Sequence, residues 1–162
     1  MNEPQQQAND AQQQPTFGIE KIYVKDLSLE IPNAPDVFLS NEQPQVELQL
    51  HHEGARVGEG MYQVVVTVTV TAKSGDKTMF LVEVSQAGIF QIRNVPETDL
   101  EPLLATACPN ILFPYARETV SDIIRRAGFP PIYLAPVNFD AIYLQRLQQA
   151  KEEAAAKIEI AH

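Results

Sequence analysis

Apolar and polar residues alternate with a period of two in several stretches of the chain. In MYQVVVTVTVTAK, Tyr62, Val64, Val66, Val68, Val70 and Ala72 share one side, and Gln63, Val65, Thr67, Thr69, Thr71 and Lys73 share the other. Alternation of this length predicts a strand with one face in the core. SGDK follows as a tight turn, with Gly75 free to take positive φ. It leads into TMFLVEVSQAGIF, where Thr78, Phe80, Val82, Val84 and Gln86 form one face. The opposite face carries Met79, Leu81, Glu83, Ser85 and Ala87, so bulky apolar residues sit beside a carboxylate. A solvated face of an antiparallel sheet is ordinarily polar, and this mixture calls for a cause.

Two further strands are predicted upstream. QVELQLH places Val46, Leu48 and Leu50 inward and Glu47 and Gln49 outward; HHEGARVGEG after it reads as a glycine-bearing loop. His51 and His52 are adjacent, so in a strand they point to opposite faces; near a loop both read as solvated. FGIEKIYVKDLSLEIP changes phase: Ile22 and Val24 share one parity, and Leu27, Leu29 and Ile31 the other. A β-bulge near Lys25 and Asp26 returns both groups to one face and leaves Asp26, Ser28 and Glu30 together on the other. PNAPDVFLSNEQP contains Pro32, Pro35 and Pro44 and predicts an extended crossover between strands that are not a simple hairpin.

Helical periodicity takes over after the strands. Thr98 and Glu101 have capping-box spacing before the short apolar LEPLLATA. PYARETVSDIIRRAG predicts a longer helix, with Phe113, Ala116, Val120, Ile124 and Ala127 recurring at three and four residues. Pro114 suits its first turn, Arg125 and Arg126 suit its last, and Gly128 and Pro130 stop it. FPPIYLAPVNF is a second proline-rich, apolar connection. Asn138 or Asp140 can cap a final helix, FDAIYLQRLQQAKEEAAA, with a stripe of Phe139, Tyr143, Leu147, Ala150 and Ala154. Strands first and helices after them give an α+β class: a four-stranded antiparallel sheet with two main helices packed on one face. The other face then holds Asp26, Glu30, Leu81 and Glu83.

Composition narrows the function. The chain has 162 residues and a net charge of −9, with 44% hydrophobic residues. That suits one core-bearing domain (residues 16–150), a disordered Gln-rich tail (1–15) and a frayed helical or disordered C-terminal tail (151–162). The acidic balance argues against nucleic acid as a partner, since phosphate neutralisation needs clustered Lys and Arg. A lone cysteine, Cys108, forms no internal disulfide and fits a reduced, cytoplasmic setting. It reads as a packed thiol near a helix start. The N-terminus lacks the basic and apolar regions of a signal peptide. No histidine or cysteine spacing resembles a metal site, and no phosphate loop or nucleophile motif is present, so no cofactor and no enzyme activity are expected. Large apolar residues in the two connections are left over. They either complete the core or wall a groove open to something hydrophobic.

YVKDLSLEIPNAPDVF, GIFQI and CPNILFPYARETVSDIIRRAGFPPIYLAPVNFDAIY together resemble the bacterial protein-export chaperone family SecB, from about Phe17 to Leu147. The resemblance implies an ATP-independent cytosolic holdase without cofactor. It would bind unfolded preproteins, keep them translocation-competent and deliver them to the SecA motor. It implies a homotetramer, a dimer of dimers packed through helix faces such as Cys108 to Ala127. It implies a SecA-binding surface at Asp26, Glu30, Leu81 and Glu83, and a client groove at Val37, Phe38, Leu39, Ile132, Leu134, Phe139 and Tyr143. Phe139 and Tyr143 also lie on the expected core stripe. Two alternatives are a SecB-like chaperone dedicated to one client, such as an antitoxin, and a small-ligand-binding domain in the apolar loops.

Overall fold

The computed structural model describes residues 14–161, so most of the Gln-rich stretch lies outside the described residues. Four antiparallel strands form one sheet: β1 (Thr16–Glu30), β2 (Gln45–Gly58), β3 (Met61–Ser74) and β4 (Lys77–Arg93), in spatial order β1-β4-β3-β2. The proline-rich segment after β1 is therefore a crossover that carries the chain to the far edge. It includes a 3-10 turn, Asp36–Phe38. Gly75 turns the β3–β4 hairpin at φ 59°.

The register of β1 on β4 slips between Val24 and Asp26, at Lys25, where the phase change placed a bulge. Ile22, Val24, Leu27 and Leu29 thereby stand opposite Gly88, Gln86, Val84 and Val82. A second bulge falls between Ile19 and Lys21. β2 runs on through the expected loop to Gly58, because Glu53, Gly54, Ala55 and Arg56 stay in register with Val65, Val64, Gln63 and Tyr62. The turn is shorter and falls at Gly60, φ 64°.

The helices follow as α1 (Glu97–Pro102), a π turn (Leu103–Ala107), α2 (Cys108–Arg126) and α3 (Phe139–Ile160). α1 starts two residues earlier than the Thr98–Glu101 spacing suggested, with Pro96 at the cap position and no side-chain cap. α2 starts six residues before Pro114. The π turn lies directly ahead of Pro109, whose ring and missing N–H an ordinary α-turn accommodates poorly. Gly128, at φ 93°, ends α2, with its N–H donating to the Arg125 carbonyl at 3.0 Å and that of Phe129 to Ile124 at 3.2 Å. Asn138 is the cap of α3, its side chain accepting from the Ala141 N–H at 3.0 Å.

The core lies between the sheet and α2. Val64, Val66, Val68 and Val70 of β3, Val82 and Val84 of β4, and Cys108, Leu112, Ala116, Val120 and Ile124 of α2 are fully buried. A helix with side chains is about 10–12 Å across and strands are about 4.8 Å apart, so one helix covers roughly two strands. α2 covers β3 and β4. The helix-side faces of both edge strands are left partly bare: Val46 and Leu48 on β2, expected inward, are 45% and 46% exposed, while Leu50, Ile22 and Leu29 are half-buried against the core. Phe17, Ile19, Val24 and Leu27 on β1 are exposed in the same way. Of the expected α3 stripe only Phe139 is buried, and every residue from Leu144 to Ala161 is exposed.

Candidate functional site

Cross-strand partners in register share a face, so the pairing defines three rows on the side of the sheet away from α2. One row is Glu30, Leu81, Thr71 and Glu47; the next is Ser28, Glu83, Thr69 and Gln49; the third is Asp26, Ser85, Thr67 and His51. The structure thus brings Asp26, Glu30, Leu81 and Glu83 together on one open face, as the strand phases required. Asp26 and Glu30 are exposed on the edge strand; Leu81 and Glu83 are half-buried toward the middle. The Thr69 hydroxyl donates to the Glu83 carboxylate at 3.0 Å, and the Thr67 and Ser85 hydroxyls pair at 3.0 Å. The Tyr23 hydroxyl donates to Gln63 farther along. The face therefore has a fixed hydroxyl floor, carboxylates above it, and one leucine among them. That chemistry suits a partner with cationic groups around an apolar contact.

The two proline-rich connections meet on the other side. Phe38 of the crossover stacks on Phe129 of the helix-connecting segment, ring centroids 5.0 Å apart, and Phe129 packs on Phe80 of β4 at 4.8 Å. A Cβ on Gly128 would lie 3.1 Å from the Phe38 ring, so the close approach of the two loops depends on glycine there. Phe38 is 47% and Leu39 83% exposed, while Val37 and Ile132 are half-buried. Leu134 and Phe139 are buried, at 5% and 1%. As placed in the single chain, these two belong to the core behind the loops rather than to free surface. Tyr143 is half-buried at a cavity of about 540 Å³ between β2, α1 and α3, with His52, Glu53, Glu101, Leu104 and Arg146. The seven groove positions do not share one cavity: Val37 lines another, of about 400 Å³, against the β3–β4 hairpin.

Two features were missed in the sequence, the exposure of Val46 and Leu48 and the burial of His52, whereas Tyr133 belongs to the apolar residues expected in the connections. Val46 and Leu48 extend the bare apolar surface next to the loops. Tyr133, 74% exposed, adds an aromatic ring to the helix-connecting segment. His52 is buried rather than solvated, whereas its neighbour His51 is exposed. Burial holds the His52 pKa below its ordinary 6.5, with Arg146 and His51 acting in the same direction. Burial also pushes the Cys108 thiol up to about 12, which keeps it protonated and unreactive. Among the described residues no group of three or more His, Cys, Asp or Glu is placed to hold a metal ion, and no helix is long and apolar enough to cross a membrane.

The SecB family, described as preprotein translocase subunit SecB, matches residues 10–150. The chain belongs to the SecB family. The protein-export protein SecB of Dechloromonas aromatica (strain RCB) is 67% identical over 148 residues, covering 91% of this chain and 95% of the relative. That of Methylobacillus flagellatus is 61% identical over 152 residues, covering 93% and 97%. Among solved structures, a SecB-like chaperone of Mycobacterium tuberculosis, in complex with a ChAD peptide from an antitoxin, superposes with a TM-score of 0.63 at 18% identity, covering 75% of this chain and 91% of that one. The likeness supports the SecB-type α+β fold. SecB proteins are export chaperones and not a class of enzymes.

Proposed function

We propose that this SecB-family chain is an ATP-independent holdase. It captures unfolded preproteins in the cytoplasm on apolar surface left bare by the fold and passes them to SecA through its acidic sheet face. The observation that carries this reading is the coexistence of two unlike surfaces on opposite sides of one sheet. One side has exposed Phe38, Leu39, Val46, Leu48 and Tyr133; the other has Asp26, Glu30, Leu81 and Glu83. Clients are held at Val37, Phe38, Leu39, Ile132, Leu134, Phe139 and Tyr143, with the two buried members reached when the loops part.

A holdase performs no bond chemistry. It must bind a loose chain before that chain folds. Association at ~10⁵–10⁷ M⁻¹s⁻¹ gives capture at roughly 0.1–10 s⁻¹ for micromolar chaperone, so slow folders are retained and fast folders escape. Apolar burial supplies about 25 cal/mol per Å² and needs no sequence code. A homotetramer, a dimer of dimers, would present several such surfaces to one long client and multiply weak contacts. The bare β1 face of Phe17, Ile19, Val24 and Leu27 favours association of copies, since apolar surface of this kind on a soluble protein marks an interface.

Phe38→Asp tests the client surface. Phe38 is half exposed, so the substitution is expected to lower affinity for a denatured preprotein roughly tenfold, measured by competition against a fluorescent client. The thermal midpoint should stay within a few degrees of the parent. A large loss of stability with unchanged client affinity would make Phe38 a core residue instead.

A further inference from the structure

α3 has one buried residue, Phe139, so the helix is attached to the domain through its first turn. Phe139 sits between two rings: His52 at 5.5 Å, edge to face, and Phe113 at 5.9 Å. His52 stands opposite Val66 on the helix side of β2, 8% exposed, and also lines the cavity of about 540 Å³ that α3 walls. Ile142, three residues on, is partly buried against the same core, but the deepest anchor of the helix rests on a titratable ring that touches solvent through that cavity. We propose that this seat is a proton-sensitive hinge: when His52 takes up a proton, Phe139 loosens and α3 moves off β2, widening the cavity.

The charged groups around His52 set the direction. From α3, Arg146 lines the same cavity and opposes a second cation. On β2, His51 is adjacent but points to the opposite sheet face, where it approaches Glu53 at 3.9 Å. Glu53, with Glu97 and Glu101 of α1, also lines the cavity; all three are exposed to water, which screens them. Tyr143 of α3 completes the wall, and Val66, Phe113 and Phe139 bring no charge. The seated state thus disfavours the imidazolium, and the unseated state binds the proton more readily. The seat is at full strength above the ordinary pKa of 6.5 and weakens as pH falls below it. This inference stands apart from the export reading.

Deuterium exchange of the full chain tests it, with amide protection over residues 139–147 compared at about pH 7.5 and about pH 5.5 and corrected for intrinsic exchange. The parent is expected to lose roughly three- to tenfold in protection at the lower pH, and His52→Phe, which keeps an aromatic ring without the titration, to lose none. If His52→Phe does not fold, NMR of the parent replaces it, with the His52 and Phe139 ring resonances expected to share one titration midpoint. Unchanged protection in the parent, equal loss in His52→Phe, or separate midpoints for the two rings would overturn the hinge.

Discussion

Glu83→Lys is expected to weaken binding of the chain to SecA by roughly tenfold or more, with assembly and client capture unchanged. The size follows from position. Glu83 lies near the middle of the open face, with Leu81 two residues away on the same strand, and Thr69 holds its carboxylate at 3.0 Å. A lysine there loses that hydrogen bond and places like charge against a cationic partner, an arrangement that costs several kcal/mol at a protein interface. Asp26 and Glu30 are exposed on the edge strand, and their neutralisation should do less. Parent binding should weaken as salt rises, because exposed charges are screened over ~10 Å at 0.1 M, and the variant should lose most of that salt dependence. Calorimetric titration with SecA at two salt concentrations reads both effects. Parent-like docking by Glu83→Lys would move the SecA surface elsewhere.

Phe139→Ala is expected to destabilise the domain by about 3–5 kcal/mol, the range for deleting a buried aromatic side chain. Phe139 is 1% exposed and in ring contact with both His52 and Phe113. It is also the one buried residue of α3, so its loss removes the seat of that helix as well as filling volume. Urea unfolding gives the measure, with a lower midpoint and a nearly unchanged slope. Phe139 is also assigned to the client surface, and the same variant separates the two roles. A near-parent midpoint with weak client binding would make it groove rather than core.

Much of the acidic face was legible in the sequence because strand parity is a strict constraint. The opposite parities of Ile22–Val24 and Leu27–Leu29 can be reconciled only by an extra residue, and the bulge at Lys25 supplies it. Once it is placed, Asp26, Ser28 and Glu30 must share the face of Leu81 and Glu83. The second bulge left the same signal, since Phe17 and Ile19 are out of phase with Ile22, but it was not used. Other features depend on what lies above each strand. Val46 and Leu48 alternate as well as Val68 and Val70 do, yet α2 is too narrow to reach them. The extension of β2 through Gly58 has little apolar signal in Glu53, Gly54, Ala55 and Arg56 and shows only in its register with β3. Pro109 argues against a helix locally; the π turn that accommodates it has no simple sequence mark. His52 looked wet because its cover, the first turn of α3, comes from far along the chain.

The most direct test of the account is the native mass of the full chain, alone and with an unfolded preprotein. A tetramer that takes up one long client per assembly, and releases it once the client folds, is the predicted result. A monomer that ignores denatured polypeptide at micromolar concentration would contradict it.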